Sequence, residues 1–249
     1  MVEILQNLKR QYSHTSDVGI AEAVAMKRHR PVALLLLSNC GATSGARRRF
    51  KLVHAMSAAG IDIDRRGACF PGNPSAPVSR KHFKDLHRIL PFIGAYKFYL
   101  AFENSHHCRD YITEKLFINA FAAGSVPVVW GARRRDYAKL VPAHSCIFVD
   151  DFASVTALSG YLTYLAGNDT AYAEYFQWRK MDERDAFGYE QNTGMCQLCR
   201  LVNGINVDNL FLNNPLLSAV PLLGFPRKPR VVASLKEWVY GREEAECFA

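Results

Sequence analysis

The chain has 249 residues, of which 49% are hydrophobic and 22% charged, so it can bury a core and is neither disordered nor collagen-like. Its formal net charge of +8 favours an anionic partner, which composition alone leaves open between a nucleic acid, a membrane surface and a phosphorylated small molecule. The apolar run at 32–37 is far shorter than the ~20 residues that cross a bilayer, and no apolar segment typical of a signal peptide follows Met1.

Strand and helix signals alternate along most of the chain. Residues 1–30 are polar, without a clear core face, and we interpret them as a lead-in segment. Predicted strands then follow at 31–38, 61–64, 96–102, 125–130 and 145–149, and predicted helices at 47–58, 79–90, 111–123, 133–140 and 152–166. This order predicts an α/β domain with a parallel sheet over 31–180, whose ligand binds at the carboxyl ends of the strands. Residues 181–249 read as an irregular, cysteine-containing extension.

Polar side chains are concentrated at 104–115, where the predicted strand 96–102 gives way to a helix. Asn104 and Tyr111 offer directional polar contacts, and Glu114 can accept hydrogen bonds from both hydroxyls of a ribose. Lys115 and the free N–H groups at the start of the helix would together hold a phosphate. The alternative is that Thr113 and Glu114 merely cap the helix while Lys115 is solvated.

The sequence also offers candidates for metal and nucleic-acid binding. The adjacent carboxylates Asp150 and Asp151 could join Mg²⁺ or Mn²⁺ to a diphosphate. The basic segment 80–88 has almost no interleaved aromatic residues, which favours a solvated helix face over a nucleic-acid contact. His106 and His107 lie in the middle of the 104–115 segment, and a histidine pair in such a loop is more often surface than catalytic.

Seven cysteines favour an oxidising compartment and leave at least one thiol unpaired if the others pair within the chain. Cys40 and Cys69 flank the first predicted helix and the second predicted strand and are one candidate pair. Cys196 and Cys199 suit a short disulfide, a redox motif or half of a zinc site, although the sequence has no second pair of similar spacing to complete the zinc ligands.

One triplet, beginning at Asn168, has the Asn-Asp-Thr pattern of an N-glycosylation acceptor. It has meaning only if the chain enters the secretory route.

The motifs YKFYLAFENS at 96–105, DYITEKL at 110–116, AGSVPVV at 123–129 and FVDDF at 148–152 strongly resemble the signature of the alpha-1,3-fucosyltransferase family, glycosyltransferase family 10. Ser38, Asn39 and Cys40, followed by Arg47, resemble the family's segment at the junction of its two domains. The resemblance covers residues 31–180 well and the Cys-x-x-Cys of the extension loosely.

The resemblance implies a GT-B architecture of two Rossmann-like domains, of which this chain holds the donor-binding one and largely lacks the N-terminal acceptor domain. Asn104, Tyr111, Glu114 and Lys115 match the donor-binding motif, with Glu114 expected on the ribose and Lys115 on phosphate. Arg47 matches the arginine that offsets the diphosphate charge, a role that Arg48 or Arg49 could also take. No metal is obligatory, so Mg²⁺ or Mn²⁺ is possible but not required, and the Cys196–Cys199 motif is expected to form a structural disulfide.

The activity that the resemblance implies is inverting transfer of L-fucose from GDP-fucose to N-acetylglucosamine, in alpha-1,3 linkage, on a glycoprotein or glycolipid glycan. The general base is expected in the missing acceptor domain, so no residue of this chain is assigned as catalytic. The alternative is a non-catalytic or truncated GDP-sugar-binding fragment. Relatives are Golgi membrane proteins facing the lumen, so contact with a membrane is expected only through a missing N-terminal anchor, and no nucleic-acid partner is expected.

Overall fold

The computed structural model describes residues 15–70, 86–108, 111–138 and 140–181. Its strands are β1 (Ala33–Leu36), β2 (Ile63–Arg66), β3 (Phe98–Phe102), β4 (Val126–Trp130) and β5 (Ile147–Phe148). Its α-helices are α1 (Asp17–Ala25), α2 (Ser44–Ala58), α3 (Leu86–Gly94), α4 (Glu114–Leu116), α5 (Arg134–Tyr137), α6 (Val155–Gly167) and α7 (Asp169–Ala173). A π-helical turn, Phe117–Ala122, continues α4, and 3-10 turns cover Val149–Asp151 and Glu174–Lys180.

The five strands form one sheet in the order β2-β1-β3-β4-β5, and each neighbouring pair is parallel. Helices cover both faces, so every residue of β3 and β4 is buried. Phe98, Leu100 and Phe102 face the core formed with α1, α2, α6 and α7, whereas Tyr99 and Ala101 face the core formed with α3, α4 and α5. The predicted α/β fold with a parallel sheet is confirmed.

Two predicted elements differ from the structure. The apolar spacing over 111–123 predicts one α-helix, but only Glu114–Leu116 is α-helical and the π turn Phe117–Ala122 follows. The segment 1–30 was expected to lack a core face, yet Ile20 and Val24 of α1 are buried in the main core. Part of the predicted lead-in therefore packs on this sheet.

Lys27 lies just after α1 and is 8% exposed. Its Nζ atom donates to the carbonyl oxygens of Gly94 at 2.5 Å and Gly124 at 2.6 Å. Burial, with a smaller contribution from repulsion by Arg179, lowers the pKa of Lys27 to about 7. The lysine ties α1 to the loops at the amino ends of β3 and β4, at the cost of desolvating its charge.

This burial predicts a pH dependence of stability. Between pH 7 and 10.5 the unfolded chain keeps the proton on Lys27 and the folded chain does not, so the free energy of unfolding should rise with pH, by about 1.4 kcal/mol per pH unit from this group. Below pH 7 both states are protonated and the contribution is constant. The free energy of unfolding, measured by urea titration at several pH values from 7 to 9, should rise less steeply with pH in Lys27→Met than in the exposed control Lys51→Met. An equal dependence on pH in the two variants would contradict the assignment.

The structure shows the bonding state of four of the cysteines, all within the described residues. Cys40 and Cys69 form a disulfide, as the sequence predicts, which links the loop after β1 to the segment after β2. Cys108 is disulfide-bonded as well, which the sequence did not indicate. Cys146 is a buried free thiol whose pKa burial raises to about 12. Cys196 and Cys199 lie outside the described residues.

Asn168, the predicted glycosylation acceptor, joins α6 to α7 and is half-buried. Its Oδ1 atom accepts the Ala171 backbone N–H at 2.9 Å as the N-cap of α7, and its Nδ2 atom donates to the Tyr164 hydroxyl at 3.2 Å. Glycosylation there stays a prediction. Among the described residues, no helix combines the length and apolarity needed to cross a bilayer.

Candidate functional site

The space between the loops that leave β1 and β3, at the carboxyl edge of the sheet, is where a ligand crevice is expected in such a topology. Strand β1 continues to β2 on one side while β3 continues to β4 on the other, so the loops that leave β1 and β3 diverge at this switch point. The two loops touch at their base, where the Thr43 hydroxyl donates to the Asn104 carbonyl oxygen at 2.7 Å. The same hydroxyl oxygen accepts the Ala46 N–H as the N-cap of α2. Among the described residues, 37–47 form the β1 wall, and 103–108 together with 111–115 form the β3 wall.

Gly45, in the first turn of α2, allows the walls to approach. A Cβ atom there would lie 2.3 Å from the Asn104 carbonyl oxygen and 2.6 Å from the Ser105 Cα atom. Both are backbone atoms, so the loop after β3 would have to shift to admit a side chain.

Gly45→Ala is therefore expected to lower the free energy of unfolding by about 1–3 kcal/mol through overpacking. This loss is expected although alanine has a higher helix propensity than glycine. Gly160, within α6, is the matched control because a Cβ atom there would meet nothing within 4 Å. Gly160→Ala should stabilise the domain by up to ~1 kcal/mol. The two variants should thus move the urea midpoint in opposite directions, and a shift in the same direction would contradict the close approach.

Three consecutive arginines follow on α2, and the structure separates them. Arg49 is 1% exposed, and its guanidinium donates to the carbonyl oxygens of Phe102 at 3.0 Å and Asn39 at 2.7 Å. Arg47 and Arg48 are exposed, and Arg47 donates to the Gly41 carbonyl oxygen at 2.9 Å. Arg47 lies on the β1 wall with its charge accessible, whereas Arg49 holds the two walls together from beneath.

Lys115 belongs to the β3 wall, where it is held by a buried carboxylate. Its Nζ atom lies 2.9 Å from Glu103 Oε2 and 2.7 Å from Thr113 Oγ1. Glu103 is 1% exposed and also accepts the Thr113 N–H and hydroxyl at 2.8 Å. The ammonium is therefore fixed in place before any ligand arrives, and 13% of the lysine side chain remains accessible.

Gly131, directly after β4, makes room for this carboxylate. A Cβ atom on Gly131 would lie 2.6 Å from the Glu103 Cβ atom, and the residue has a φ of +141° that side chains rarely allow. The Gly131 carbonyl oxygen also accepts the His107 N–H at 2.5 Å. The backbone after β4 thus supports the β3 wall at two points.

The other predicted donor-binding residues lie along the same wall. Asn104 and Tyr111 are half-buried, and the side chain of Glu114 is 52% exposed. Partial burial acts to raise the pKa of Glu114, but the Lys115 ammonium and hydrogen bonds outweigh it and hold the pKa below its usual value. Glu114 is therefore an ionised acceptor at neutral pH. Because α4 has only three residues, a phosphate here would depend on the side-chain cations more than on a helix dipole.

A second polar cluster lies further along the edge, beyond β4. His107 Nε2 is 3.5 Å from Asp150 Oδ2, and the His106 ring stacks between those of His107 and Trp130, with centroid distances of 3.7 and 4.6 Å. Both histidines and Asp150 line a cavity of about 420 Å³.

Asp151 instead pairs with Arg134 at 2.5 Å, so the two adjacent aspartates face different partners and do not form the joint carboxylate site that the sequence suggested.

Sequence reasoning missed Glu103 and Arg49 as organisers of the crevice. An acidic residue directly after an apolar strand was the only available signal for Glu103, because its role depends on Gly131, which follows a different strand. Arg49 is separated from Arg47 by the helical periodicity of α2, in which positions two apart lie on different faces.

A parallel sheet with this strand order and its switch point between β1 and β3 defines a Rossmann-like class of domain. The sequence profile described as glycosyltransferase family 10 (fucosyltransferase), C-terminal, matches residues 26–213. The chain belongs to this family.

Relatives agree with that assignment. Glycoprotein 3-alpha-L-fucosyltransferase A of Drosophila melanogaster is 35% identical over 205 residues, which are 82% of this chain and 34% of the relative. Alpha-(1,3)-fucosyltransferase 4 of Bos taurus is 45% identical over 120 residues, 48% of this chain and 28% of the relative. The chain thus spans about a third or less of the length of these curated relatives.

Solved structures show the same fold. A crystal structure of an alpha1,3-fucosyltransferase with GDP-fucose aligns at a TM-score of 0.55 and 22% identity, covering 79% of this chain and 53% of that one. The corresponding structure with GDP also gives 0.55, at 23% identity. The predicted GT-B type, with one Rossmann-like domain in the described residues, is confirmed.

Proposed function

We propose that this domain holds GDP-fucose and serves inverting transfer of L-fucose to N-acetylglucosamine of a glycan, in alpha-1,3 linkage. The observation that carries the proposal is the pair of cationic side chains on the two walls of the crevice, Arg47 on the β1 side and Lys115 on the β3 side. A nucleoside diphosphate carries its negative charge on the phosphates, and two fixed cations at a switch point suit that group. Relatives named as fucosyltransferases and a neighbour solved with GDP-fucose support the choice of donor.

The remaining residues of the β3 wall suit the rest of the nucleotide. Glu114 is ionised and half-exposed, so its two oxygens can accept hydrogen bonds from the ribose hydroxyls. Asn104 and Tyr111 supply an amide and a phenol at either end of the same loop. Nothing in this set depends on a metal ion, and stabilisation of the diphosphate falls to Arg47 and Lys115.

In the proposed reaction the acceptor hydroxyl oxygen attacks the anomeric carbon as the bond to the GDP oxygen breaks, which inverts the configuration. A general base removes the hydroxyl proton, and we place that base on the acceptor-binding side, outside the described residues. As the diphosphate leaves it gains negative charge, and Arg47 and Lys115 lower the barrier by meeting that charge with fixed cations.

Calorimetry with GDP and guanosine tests the site. We expect clear binding of GDP and much weaker binding of guanosine, since the phosphates provide the contacts to Arg47 and Lys115. Equal affinity for the two would overturn the proposal.

Incubation with GDP-fucose and a lactosamine acceptor separates the two versions of the function. Release of GDP with formation of a fucosylated product identifies a working transferase. GDP binding without turnover identifies the alternative, a GDP-sugar-binding fragment without its general base.

We also propose the lumenal side of the Golgi membrane as the location, and glycoprotein or glycolipid glycans as acceptors. The Cys40–Cys69 disulfide supports a compartment that is oxidising. Fractionation of cells that express the tagged full-length protein, with protease protection of the lumen, tests this placement.

A further inference from the structure

None of the residues in the histidine cluster beyond β4 is assigned to GDP-fucose in the proposed function, and the geometry of the cluster points to a second kind of ligand. Three potential metal ligands from His106, His107 and Asp150 lie within 4.8 Å of one another. Two of them, His107 Nε2 and Asp150 Oδ2, are already 3.5 Å apart. Ligands of one ion with bond lengths near 2.1 Å lie no more than about 4 Å apart, so small side-chain rotations would bring all three around a single ion.

The backbone brings the two histidines to the same side. Neighbouring side chains of an extended chain point in opposite directions, but His107 has a φ of 57° and its N–H is fixed by the Gly131 carbonyl oxygen. The two rings consequently lie face to face, with an interplanar angle of 25°. Each imidazole has two nitrogens, so one can bind an ion while the other keeps a hydrogen bond.

Asp150 comes from a different part of the fold, the 3-10 turn that follows β5. The cluster therefore joins the carboxyl ends of β3 and β5 across β4. The same three residues line the cavity of about 420 Å³, together with apolar residues that include Phe152 and Leu158. An ion at its rim would keep coordination positions open for water or for a ligand in the cavity.

We propose that His106, His107 and Asp150 bind one divalent transition-metal ion. Two imidazoles and one carboxylate suit Zn²⁺ or a similar ion, whereas Mg²⁺ prefers a shell of oxygen atoms only. This site is separate from the Asp150–Asp151 pair suggested by the sequence, because Asp151 is engaged by Arg134. The proposal concerns metal binding itself and does not depend on the donor specificity proposed above.

Titration of the full 249-residue chain with Zn²⁺, followed by calorimetry, tests the site. We expect one Zn²⁺ per chain and little heat with Mg²⁺ at the same concentrations. Asp150→Asn and His107→Asn should each weaken Zn²⁺ binding by at least about tenfold, because even indirect partners of metal ligands affect affinity by 10–100-fold. Asparagine tolerates the left-handed backbone at position 107, which keeps the loop intact.

His54→Asn is the matched control, since His54 is exposed on α2, away from the carboxyl edge, and its loss should leave Zn²⁺ affinity unchanged. The absorption spectrum of the Co²⁺-substituted protein gives a second readout, and it should lack the charge-transfer band of a thiolate ligand. Unchanged Zn²⁺ affinity in both cluster variants, or a thiolate band, would overturn the proposal, as would the absence of any Zn²⁺ binding. In each of those cases His107 and Asp150 contact each other without a metal ion.

Discussion

Calorimetry of Lys115→Ala is expected to show GDP binding weakened by about 30-fold or more. Truncating one partner of a hydrogen-bonded, largely buried charge pair costs about 2–5 kcal/mol of binding, and 1.4 kcal/mol corresponds to a tenfold change in affinity. Lys115 is the cation that the β3 wall presents to the crevice, and Glu103 and Thr113 hold it there without help from the ligand.

The substitution has a second effect that must be separated from the first. Glu103 is 1% exposed, so Lys115→Ala leaves a buried carboxylate without its cation, which costs about 3–5 kcal/mol of stability. The double variant Lys115→Ala with Glu103→Gln removes that uncompensated charge and should recover most of the stability while GDP binding stays weak. Recovery of GDP affinity in the double variant would show that Lys115 acts on the fold and not on the ligand.

Arg49→Met is expected to lower the free energy of unfolding by about 1–4 kcal/mol, because it leaves one buried and one half-buried carbonyl oxygen without a donor, at about 1–3 kcal/mol for the buried one and less for the other. These are the carbonyls of Phe102, the last residue of β3, and Asn39, in the loop after β1. Burial already lowers the pKa of Arg49 to about 10, so the guanidinium is still charged at neutral pH. Lysine should not rescue the variant, since one ammonium cannot reproduce the guanidinium fork.

The neighbouring arginines provide the controls in urea unfolding and GDP calorimetry. Arg48→Met should change neither stability nor GDP affinity, because Arg48 is exposed and the proposed function assigns the diphosphate to Arg47 and Lys115. Arg47→Met should weaken GDP binding and leave stability within about 0.5 kcal/mol of the parent chain. A large loss of stability in Arg47→Met, with Arg49→Met unaffected, would mean that the two roles are exchanged.

Local sequence predicted the sheet well because its signals are strong. Residues 98–102 are aromatic and aliphatic throughout, as is typical of a strand in a parallel sheet that helices cover on both faces. The helix over 111–123 was predicted less well, since residues spaced for an α-helix can also pack on one face of a π turn. The core face of α1 was missed because small apolar residues surround Ile20 and Val24 on all sides of the helix, so these two residues do not stand out as one apolar face.

The sequence predicted the residues that line the crevice, but not the residues that hold them in place. Asn104, Tyr111, Glu114 and Lys115 were identified from the 104–115 segment, and the structure places all four on one wall of the crevice, although their roles stay predictions. The residues that support the site from inside depend on partners far apart in the chain. Glu103 needs the absence of a side chain at Gly131, and Arg49 needs one carbonyl from β3 and another from the loop after β1. No local pattern carries that information.

Gly131 contacts two regions of the carboxyl edge, the lysine site and the histidine cluster. Glu103 occupies the volume that a side chain at position 131 would fill, and His107 is bonded to the carbonyl of the same residue. The carboxylate that holds Lys115 and the backbone of His107 therefore both pack against the same residue. A methyl group at position 131 would therefore disturb both the lysine site and the histidine cluster.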